Sequence, residues 1–327
     1  MNERCEGNML AANEELGTAE GFGVVVACCA GDIRYLRGCL ASVRFYLGNI
    51  PIALIFDGIA NRDLDAVAHC YGARVLSRAR TVDPRLRQRS YGWGITKLVS
   101  LWESPFPRFL FLDPDIVLWG NVLDMDDVRS GDFVIYLDRA PHSLEWIDRF
   151  IYDRGRLQEI FPDFDSAPHI NSVFATGAWI GSRGQFDLDE YMRLLDIATA
   201  NPEVFRCGDQ GLFNFLVFRM SDTGAIRYRI APFPQLHPND LDTAQLAASC
   251  QFKLRPVPRN KACLFHWSGR KPHIFRRTLP HMTQWRLEHY RQAERAIFGA
   301  RAAVLLEDLP IARRNFAWRL RRLLRLK

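Results

Sequence analysis

The stretch RFLFLDPDIVL, residues 108–118, joins a buried-strand pattern to a pair of carboxylates. Arg108–Leu112 is a short run dominated by bulky apolar residues, which is typical of a strand covered on both faces. The predicted strand ends at Asp113-Pro114-Asp115. Because ligands of open α/β sheets bind at the carboxyl ends of strands, this acidic pair occupies a position where a ligand is expected.

The residues before this stretch alternate between strand and helix patterns. Gly23–Cys29 and Pro51–Phe56 are continuous apolar runs, and Ala73–Leu76 is a shorter strand candidate. Two amphipathic helical patterns separate them, the second over Asn61–Tyr71 and the first with an apolar face made of Leu36, Leu40, Val43 and Leu47. This βαβαβ series predicts a parallel sheet with helices on both faces.

Patterns on either side of the acidic stretch predict the rest of the chain. Ser77–Gly94 is charged and contains glycine, so we interpret it as a loop, and Pro232–Pro258 is interpreted as irregular structure over the active face. The further predictions are helices over Thr96–Trp102, Leu188–Ala200 and Asp209–Phe218, and strands over Phe133–Leu137, Val173–Ile180 and Leu264–Trp267. The predicted organisation is a flexible leader at 1–20, one α/β domain at 21–283 and a C-terminal helical extension at 284–327.

The composition is that of a globular protein, with 48% hydrophobic and 24% charged residues, which excludes global disorder. The eight cysteines include no C-x-x-C pair, and several lie in apolar runs, as expected for reduced, buried thiols. Residues 1–20 are polar and lack the apolar core of a signal peptide, and no apolar run is long enough to span a bilayer. We therefore expect a cytoplasmic protein.

The C-terminal stretch RRNFAWRLRRLLRLK, residues 313–327, carries seven Lys or Arg and no Asp or Glu, in a chain of net charge +6. A helix there would place four apolar residues on one face: Phe316, Leu320, Leu323 and Leu324. Each basic residue near an anionic surface contributes about 1 kcal/mol, so the tail is predicted to lie peripherally on a membrane. The alternatives are a solvated helix packed on the domain and a nucleic-acid-binding tail, although the body lacks the pattern of a nucleic-acid surface.

The acidic pair has two interpretations. Asp113 and Asp115, around one intervening residue, can both face a divalent cation just past a strand, and oxygen ligands suit Mg²⁺ or Mn²⁺. Such a cation would bridge a diphosphate and neutralise the charge that develops as it leaves. The alternative is a solvated turn, because a D-x-D sequence is common by chance. The apolar strand before it and Ile116-Val117-Leu118 after it favour the metal site.

A second short strand leads into FHWSGRKPH, residues 265–273. His266 is a candidate third metal ligand, and mixed nitrogen and oxygen ligation favours Mn²⁺ over Mg²⁺. Gly269 would let the backbone approach a phosphate, and Lys271 would pair with it. The alternative for His266 is a structural imidazole beside Trp267.

Other polar residues have a functional and a structural interpretation. Asp209 and Gln210 begin a predicted helix, where an aspartate either caps the helix or, with Gln210, contacts a sugar ring or the reacting carbon. Lys97 opens the helix before the acidic strand, and Arg89 lies in the preceding loop. Each of these two side chains is either solvated or the partner of a phosphate or carboxylate.

Four sequence blocks occur in the order seen in family 8 glycosyltransferases, the group that contains glycogenin, bacterial lipopolysaccharide galactosyltransferases and plant galacturonosyltransferase-like enzymes. The chain resembles this family over about residues 22–275. The blocks are ITKL at 95–98, FLDPDIV at 111–117, GDQGLFN at 208–214 and HWSGRKP at 266–272.

The resemblance implies a GT-A fold with a mixed, mostly parallel central sheet, a Mn²⁺-dependent reaction, a UDP-sugar donor and retention of anomeric configuration. It implies Asp113, Asp115 and His266 as metal ligands and Lys97 as a donor-binding lysine. Gly269 and Lys271 resemble the contacts to the donor diphosphate, and Asp209 and Gln210 resemble the pair beside the donor sugar. The uridine region is matched by Ala27, Asp32 and Tyr35.

Three departures from the family pattern bear on the donor site. One residue instead of two separates Gly269 from Lys271, so Arg270 could share the phosphate contact, and His273 stands where the family has Trp. The family's Phe-Asn-x-Gly block reads Phe174-Ala175-Thr176-Gly177 here, which leaves Thr176 as its polar side chain toward the donor. Tyr35 is one residue out of register with the family's aromatic residue.

The sequence therefore predicts a metal-dependent retaining glycosyltransferase that moves a hexose from a UDP-sugar to a glycan or lipid-linked acceptor, such as lipopolysaccharide or another surface polysaccharide. A nucleotidyltransferase is one alternative, because it shares an α/β sheet with an acidic metal site. A catalytically inactive nucleotide- or membrane-binding adaptor is the other. P-loop, dinucleotide-fingerprint, zincin and nucleophile-elbow motifs are absent from the sequence.

Overall fold

The computed structural model describes residues 21–92, 94–126, 128, 131–138, 141–238, 250–269, 271–274, 279–293 and 297–325. The strands are β1 Phe22–Cys29, β2 Ile52–Asp57, β3 Arg74–Ser77, β4 Arg108–Leu112, β5 Ile116–Trp119, β6 Phe133–Ile135, β7 Ala178–Ser182, β8 Tyr228–Ile230, β9 Gln235–Leu236 and β10 Cys263–His266. The helices are α1 Ile33–Leu47, α2 Arg62–Tyr71, α3 Pro84–Arg89, α4 Ser100–Glu103, α5 Leu144–Phe150, α6 Arg154–Ile160, α7 Leu188–Ala200, α8 Asp209–Asp222, α9 His281–Gln292 and α10 Ile297–Arg325.

The central sheet has seven strands in the order β3-β2-β1-β4-β7-β6-β8. Strands β3, β2, β1 and β4 run parallel, as the βαβαβ pattern predicts. Strand β7 is antiparallel to both β4 and β6, and β8 is parallel to β6. The predicted mixed, mostly parallel sheet is confirmed, and β1 and β4 lie side by side at its centre.

A second sheet brings a distant part of the chain back to the acidic turn. It has the order β5-β10-β9, with β10 antiparallel to β5 and parallel to β9. Because β5 begins directly after Asp115, and His266 pairs with Ile116 in the β5–β10 register, this sheet places His266 next to the acidic pair. The contact joins residues 150 positions apart through strand pairing alone.

Both faces of the central sheet are buried, which explains the continuous apolar runs of its strands. Alternate residues of β1 point to opposite faces: Val24 and Val26 join a core built on α1, α9 and the second sheet, whereas Val25 and Ala27 join a core built on α7 and α8. The carboxyl edge of the sheet is left as the place where polar side chains can gather.

The structure differs from the predicted elements in two places with a clear physical cause. The predicted loop Ser77–Gly94 contains helix α3, which Asp83 caps by accepting a hydrogen bond from Arg85 N and which starts with Pro84. The strand predicted over Val173–Ile180 begins only at Ala178, because the backbone of Phe174 bonds the side chain of Asn214 instead of a strand.

The C-terminal part is helical. Helix α9 packs on α1, so the predicted domain boundary between residues 283 and 284 lies inside a helix that belongs to the core. Helix α10 runs on for 29 residues with Pro310 inside it. The side chains proposed for the apolar tail face (316, 320, 323 and 324), the leader 1–20 and residues 239–249 lie outside what the structure describes. Within the described ranges, no helix combines the length and apolar character needed to cross a bilayer.

Candidate active site

The acidic turn between β4 and β5 brings two carboxylates and one imidazole together. The backbone N–H of Asp113 donates to Gly177 O (2.7 Å), and that of Trp267 donates to Asp115 O (3.2 Å), so the turn is held from both sides. His266 Nε2 lies 3.5 Å from Asp115 Oδ1 and 3.7 Å from Asp113 Oδ2. The three ligand atoms all lie within 4.8 Å of one another.

These three residues fit a divalent cation. Asp115 and His266 are 4% and 6% exposed, so an ion between them would be largely withdrawn from water. In the described part of the chain, the buried Nδ1 of His266 has no hydrogen-bond partner, so no second bond to the ring holds it in place. The ring instead packs against Gly177, where an added Cβ would come within 2.5 Å of His266 Cε1. Two carboxylates and an imidazole form a mixed oxygen and nitrogen donor set.

A buried ammonium group connects the acidic pair to the start of α8. Lys97 Nζ lies 2.9 Å from Asp113 Oδ2 and 3.0 Å from Asp209 Oδ2, and it donates more weakly to Thr176 O at 3.4 Å. Burial alone would lower the pKa of Lys97, but the two carboxylates outweigh burial and raise it. Lys97 therefore stays charged and bridges the carboxylates of Asp113 and Asp209, which both line the cavity.

The first turn of α8 is bonded to the 174–176 segment. The Thr176 hydroxyl donates to Asp209 Oδ2, and the Thr176 N–H donates to Gln210 Oε1 at 3.3 Å. Gln210 Nε2 donates to Phe174 O at 2.9 Å. Asp209 and Gln210 thus line the cavity while hydrogen bonds fix their side chains. The N-cap position of α8 is Gly208, with no side-chain cap, so the interpretation of Asp209 as a helix cap is wrong.

Gly94 allows this scaffold to close. Its φ of +86° is rarely adopted by residues with side chains, and an added Cβ would collide with Asp209 Oδ1. The turn at Gly94 also starts the 3-10 segment Ile95–Val99, which carries Lys97 inward. A glycine at this position is therefore needed both for the backbone conformation and for the closeness of Asp209.

Lys271 reaches the site from the other side. Its Nζ pairs with Asp115 Oδ2 and donates to Trp267 O at 3.3 Å. The side chain remains about one third exposed (36%), so this ammonium faces the open side of the site, in contrast to Lys97.

The pKa values of the two carboxylates in the acidic turn are shifted in opposite directions. Burial raises the pKa of Asp113, and the nearby Lys97 and His266 offset only part of that rise. Burial also acts to raise the pKa of Asp115, but His266 and Lys271 outweigh it and lower the pKa. Asp115 is therefore the more firmly ionised of the two carboxylates. A further positive charge beside Asp113 would stabilise the ionised form of that carboxylate.

The cluster opens into a cavity of about 380 Å³, which has the size of a small-molecule site. The cavity lies at the carboxyl ends of β1, β2 and β4. Its lining includes most of the predicted site residues: Ala27, Asp32, Lys97, Asp113, Asp115, Thr176, Asp209, Gln210, His266 and Lys271.

Four other predicted residues lie elsewhere. Tyr35 is 1% exposed inside α1 and does not line the cavity. Arg89 Nη2 is bonded to Asp196 Oδ1 at 2.5 Å on the protein surface. Gly269, with φ +77°, follows the cavity residue Ser268 without itself lining the cavity. Arg270 lies outside the described residues.

Sequence reasoning missed several polar residues at the site. Asp57, at the end of β2, lines the cavity and accepts a hydrogen bond from Thr96 Oγ1 at 3.2 Å. Its position at the end of the apolar run Pro51–Phe56 was the available signal.

A further polar cluster borders His266. Asp138 lies 2.7 Å from His237 Nε2, and His237 Nδ1 lies 2.9 Å from Ser268 Oγ, which reaches the cavity. The ring of His237 is centred 5.2 Å from that of His266. Nothing in the local sequence around Asp138 or His237 indicates this cluster, because it depends on the second sheet.

The chain has the mixed, mostly parallel sheet of the GT-A glycosyltransferase fold, and in this chain a D-x-D turn and a returning histidine lie at the carboxyl edge of the sheet. Solved structures with the same fold include the galactosyltransferase LgtC in complex with donor and acceptor sugar analogues. It has 16% identity and a TM-score of 0.52 over 80% of this chain and 94% of that one. An LgtC active-site mutant, with glutamate in place of glutamine, matches with 17% identity and the same TM-score over the same shares.

The glycosyltransferase GlyE of Streptococcus pneumoniae TIGR4 also has this fold, with 14% identity and a TM-score of 0.50 over 90% of this chain and 64% of GlyE. No family model matches the sequence, and no curated protein matches it. At these identities the likeness establishes the fold, and the function has to be argued from the site.

Proposed function

We propose that this protein is a metal-dependent glycosyltransferase that transfers a hexose from a UDP-sugar and belongs to family 8. The observation that carries the proposal is the group Asp113, Asp115 and His266, whose ligand atoms lie within 4.8 Å of one another beside a cavity lined by two lysines. LgtC, which has the same fold, is a galactosyltransferase with donor and acceptor sites, and a glutamine belongs to its active site.

The charge balance of the site supports a donor with a diphosphate and a cation. Three carboxylates, Asp113, Asp115 and Asp209, face two ammonium groups, Lys97 and Lys271. A divalent cation held by Asp113, Asp115 and His266, which we propose to be Mn²⁺, would neutralise the charge of the departing diphosphate. The exposed ammonium of Lys271 is placed to pair with a phosphate oxygen, and Gly269 leaves the backbone open there.

In the proposed reaction, an acceptor hydroxyl attacks the anomeric carbon while the bond from that carbon to the UDP oxygen breaks. The electron pair leaves with UDP, and the hydroxyl proton passes to the departing phosphate. We propose that configuration is retained. Asp209 Oδ2 is held by Lys97 and Thr176, and both polar atoms of the Gln210 amide bond to the 174–176 segment, so both side chains are fixed in place. We propose that they orient the donor sugar. That bonding favours attack from the face the phosphate leaves over a covalent intermediate on Asp209.

The acceptor and the location of the protein are further proposals. We propose a glycan or lipid-linked acceptor, such as lipopolysaccharide or another surface polysaccharide, and a cytoplasmic protein that binds peripherally to the membrane. The seven basic residues of 313–327 support binding to an anionic lipid surface.

The experiment that tests the transferase proposal measures thermal stability with UDP, GDP, CDP or dTDP, each with Mn²⁺ or EDTA. A ligand that binds only the folded state raises the midpoint by mass action, and at one hundred times Kd it contributes about 2.7 kcal/mol. We expect UDP with Mn²⁺ to raise the midpoint of the wild type. Asp115→Asn removes a ligand charge and should abolish the rise. Asp196→Asn, at an exposed surface pair, is the matched control and should keep it.

Two results would contradict the proposal. If no nucleotide raises the midpoint with either Mn²⁺ or EDTA, the chain is not a nucleotide-sugar transferase. An inactive membrane-binding adaptor then explains the sequence better. If nucleotide binding occurs but product analysis shows a nucleotidyl group transferred instead of a sugar, the nucleotidyltransferase alternative is correct.

A further inference from the structure

The segment that carries Lys271 is tied at its far end to the C-terminal helix. The backbone N–H of Ile274 donates to Asp308 Oδ2 on α10 at 2.6 Å. Asp308 is 0% exposed, and both of its oxygens also accept from Arg286 Nη1, at 3.0 and 3.2 Å. A backbone hydrogen bond to an ionised carboxylate is charge-assisted and therefore stronger than a hydrogen bond between neutral groups.

Apolar packing adds a second attachment at the same residue. The side chain of Ile274 packs against a small core formed by α9 and α10, which contains Leu287, Tyr290, Ala300, Ala303 and Val304. This core is separate from the two cores that cover the central sheet. The position of Ile274 therefore depends on where α10 lies.

Only two residues separate Ile274 from Lys271, so the attachment lies within about 11 Å of the Lys271 backbone. Between them, Pro272 is buried, and its ring restricts the backbone. At the near end, Lys271 Nζ pairs with Asp115 in the cavity. One end of this short segment thus lies in the site, and the other is held by α10.

We propose that α10 is a positioning element of the donor site: Asp308 and Ile274 hold the Lys271 segment so that its ammonium is ready for the donor diphosphate. The inference rests on the proposed function, because it assigns α10 a part in binding the same donor. It also makes the C-terminal helix part of the transferase domain.

The structure offers a matched control one residue away. Glu307 belongs to the same buried cluster, accepting from Arg286 Nη2 (2.5 Å) and Tyr290 Oη (2.6 Å) and pairing with Arg37. The backbone N–H of Ile274 donates to Asp308 and not to Glu307. Loss of either carboxylate should weaken the packing of α10, but only loss of Asp308 frees Ile274.

The test is a double-mutant cycle on the full chain, with the Kd of UDP in the presence of Mn²⁺ measured by titration calorimetry. We expect Asp308→Ala to raise this Kd about tenfold, because the freed segment must be ordered when the donor binds. Glu307→Ala should change it less than about twofold. Asp308→Ala combined with Lys271→Ala should bind no more weakly than Lys271→Ala alone, because Asp308 acts through Lys271.

A second variant avoids the buried charges in case Asp308→Ala does not fold. Ile274→Gly loses the packing against α10 and should raise the Kd of UDP, again with no further effect on Lys271→Ala. If the effects of Asp308 or Ile274 simply add to that of Lys271→Ala, or if the Kd does not change, the inference is wrong while the proposed function stands. If the wild type does not bind UDP with Mn²⁺, both are refuted.

Discussion

Two buried charge clusters in this protein have similar chemistry and opposite surroundings. In the cavity at the carboxyl ends of the strands, Asp113, Asp115 and Asp209 meet Lys97 and Lys271. Between α1, α9 and α10, Glu307 and Asp308 meet Arg37 and Arg286. The first cluster has one more carboxylate than cations and borders a cavity. The second is closed, with Arg286 and Asp308 both 0% exposed, and a further carboxylate, Asp63, pairs with Arg37 at the protein surface.

This difference distinguishes a cluster suited to ligand binding from a cluster that stabilises the fold. Ion pairs that satisfy one another leave nothing for a ligand, and breaking one leaves an uncompensated buried charge. A cluster with excess negative charge beside an imidazole instead has capacity for a cation. The closed cluster should therefore dominate stability, and the open cluster should dominate ligand binding.

The largest expected effect comes from breaking the closed cluster. Arg286→Met leaves Asp308 without its guanidinium partner and should lower the free energy of unfolding by about 3–5 kcal/mol, measured by urea denaturation. Arg291→Met on the same helix is the control. Its pair with Glu288 is exposed, so the loss should be below about 1 kcal/mol. Equal losses for the two variants would contradict the distinction between closed and exposed pairs.

A slightly smaller effect should appear on acidification. His281, at the start of α9, is buried against Phe265, with ring centroids 4.6 Å apart. Burial lowers the pKa of His281 to about 4, whereas an unfolded histidine has a pKa near 6.5. Between these values the unfolded chain binds more protons than the folded one, so stability is lost as the pH falls from about 6.5 to 4. The loss should be on the order of 3 kcal/mol.

The measurement is urea unfolding at pH 7 and pH 4.5 for the wild type and His281→Leu. The leucine side chain has no group that binds a proton, so this variant should lose clearly less stability between the two pH values. His69→Gln, on the exposed face of α2, is the control and should lose as much as the wild type. An unchanged pH dependence in His281→Leu would show that other groups cause the acid loss.

The sequence predicts the open cluster better than the closed one. The parallel strands and the acidic turn follow from apolar runs and from the position of Asp113 and Asp115 after one of them. Local patterns carry this information because strand burial and ligand position are linked in an open α/β sheet. His266 was a candidate because it follows a short apolar strand, and the resemblance also implies it, but its contact with Asp115 depends on the β5–β10 register.

The closed cluster gives no such signal. In the sequence, Glu307, Asp308 and Arg286 are ordinary charged residues of helical segments. Helix periodicity does not predict which distant helix packs over them. Asp138 and His237, 99 residues apart, were missed for the same reason. Short elements such as β8 and α5 also have too few residues to show a period.

The smallest expected effect tests the shape of the open cluster. Gly177→Ala adds a Cβ that would lie 2.5 Å from His266 Cε1, so the ring must move to relieve the contact. A shifted imidazole can no longer share a cation with Asp113 and Asp115 at the same distances. Because displaced ligands typically weaken metal binding at least tenfold, we expect the Kd for Mn²⁺, measured by the paramagnetic resonance signal of free Mn²⁺, to rise about tenfold.

Gly155→Ala is the matched control, because a Cβ there meets nothing closer than Asp153 Oδ1 at 3.6 Å, and its Mn²⁺ affinity should equal that of the wild type. Thermal stability measured without metal shows whether the added Cβ of Gly177→Ala destabilises the fold itself. If Gly177→Ala loses stability but keeps the Mn²⁺ affinity of the wild type, the ring of His266 has moved without cost to the ion. His266 would then not be a metal ligand, and the open cluster would reduce to its carboxylates.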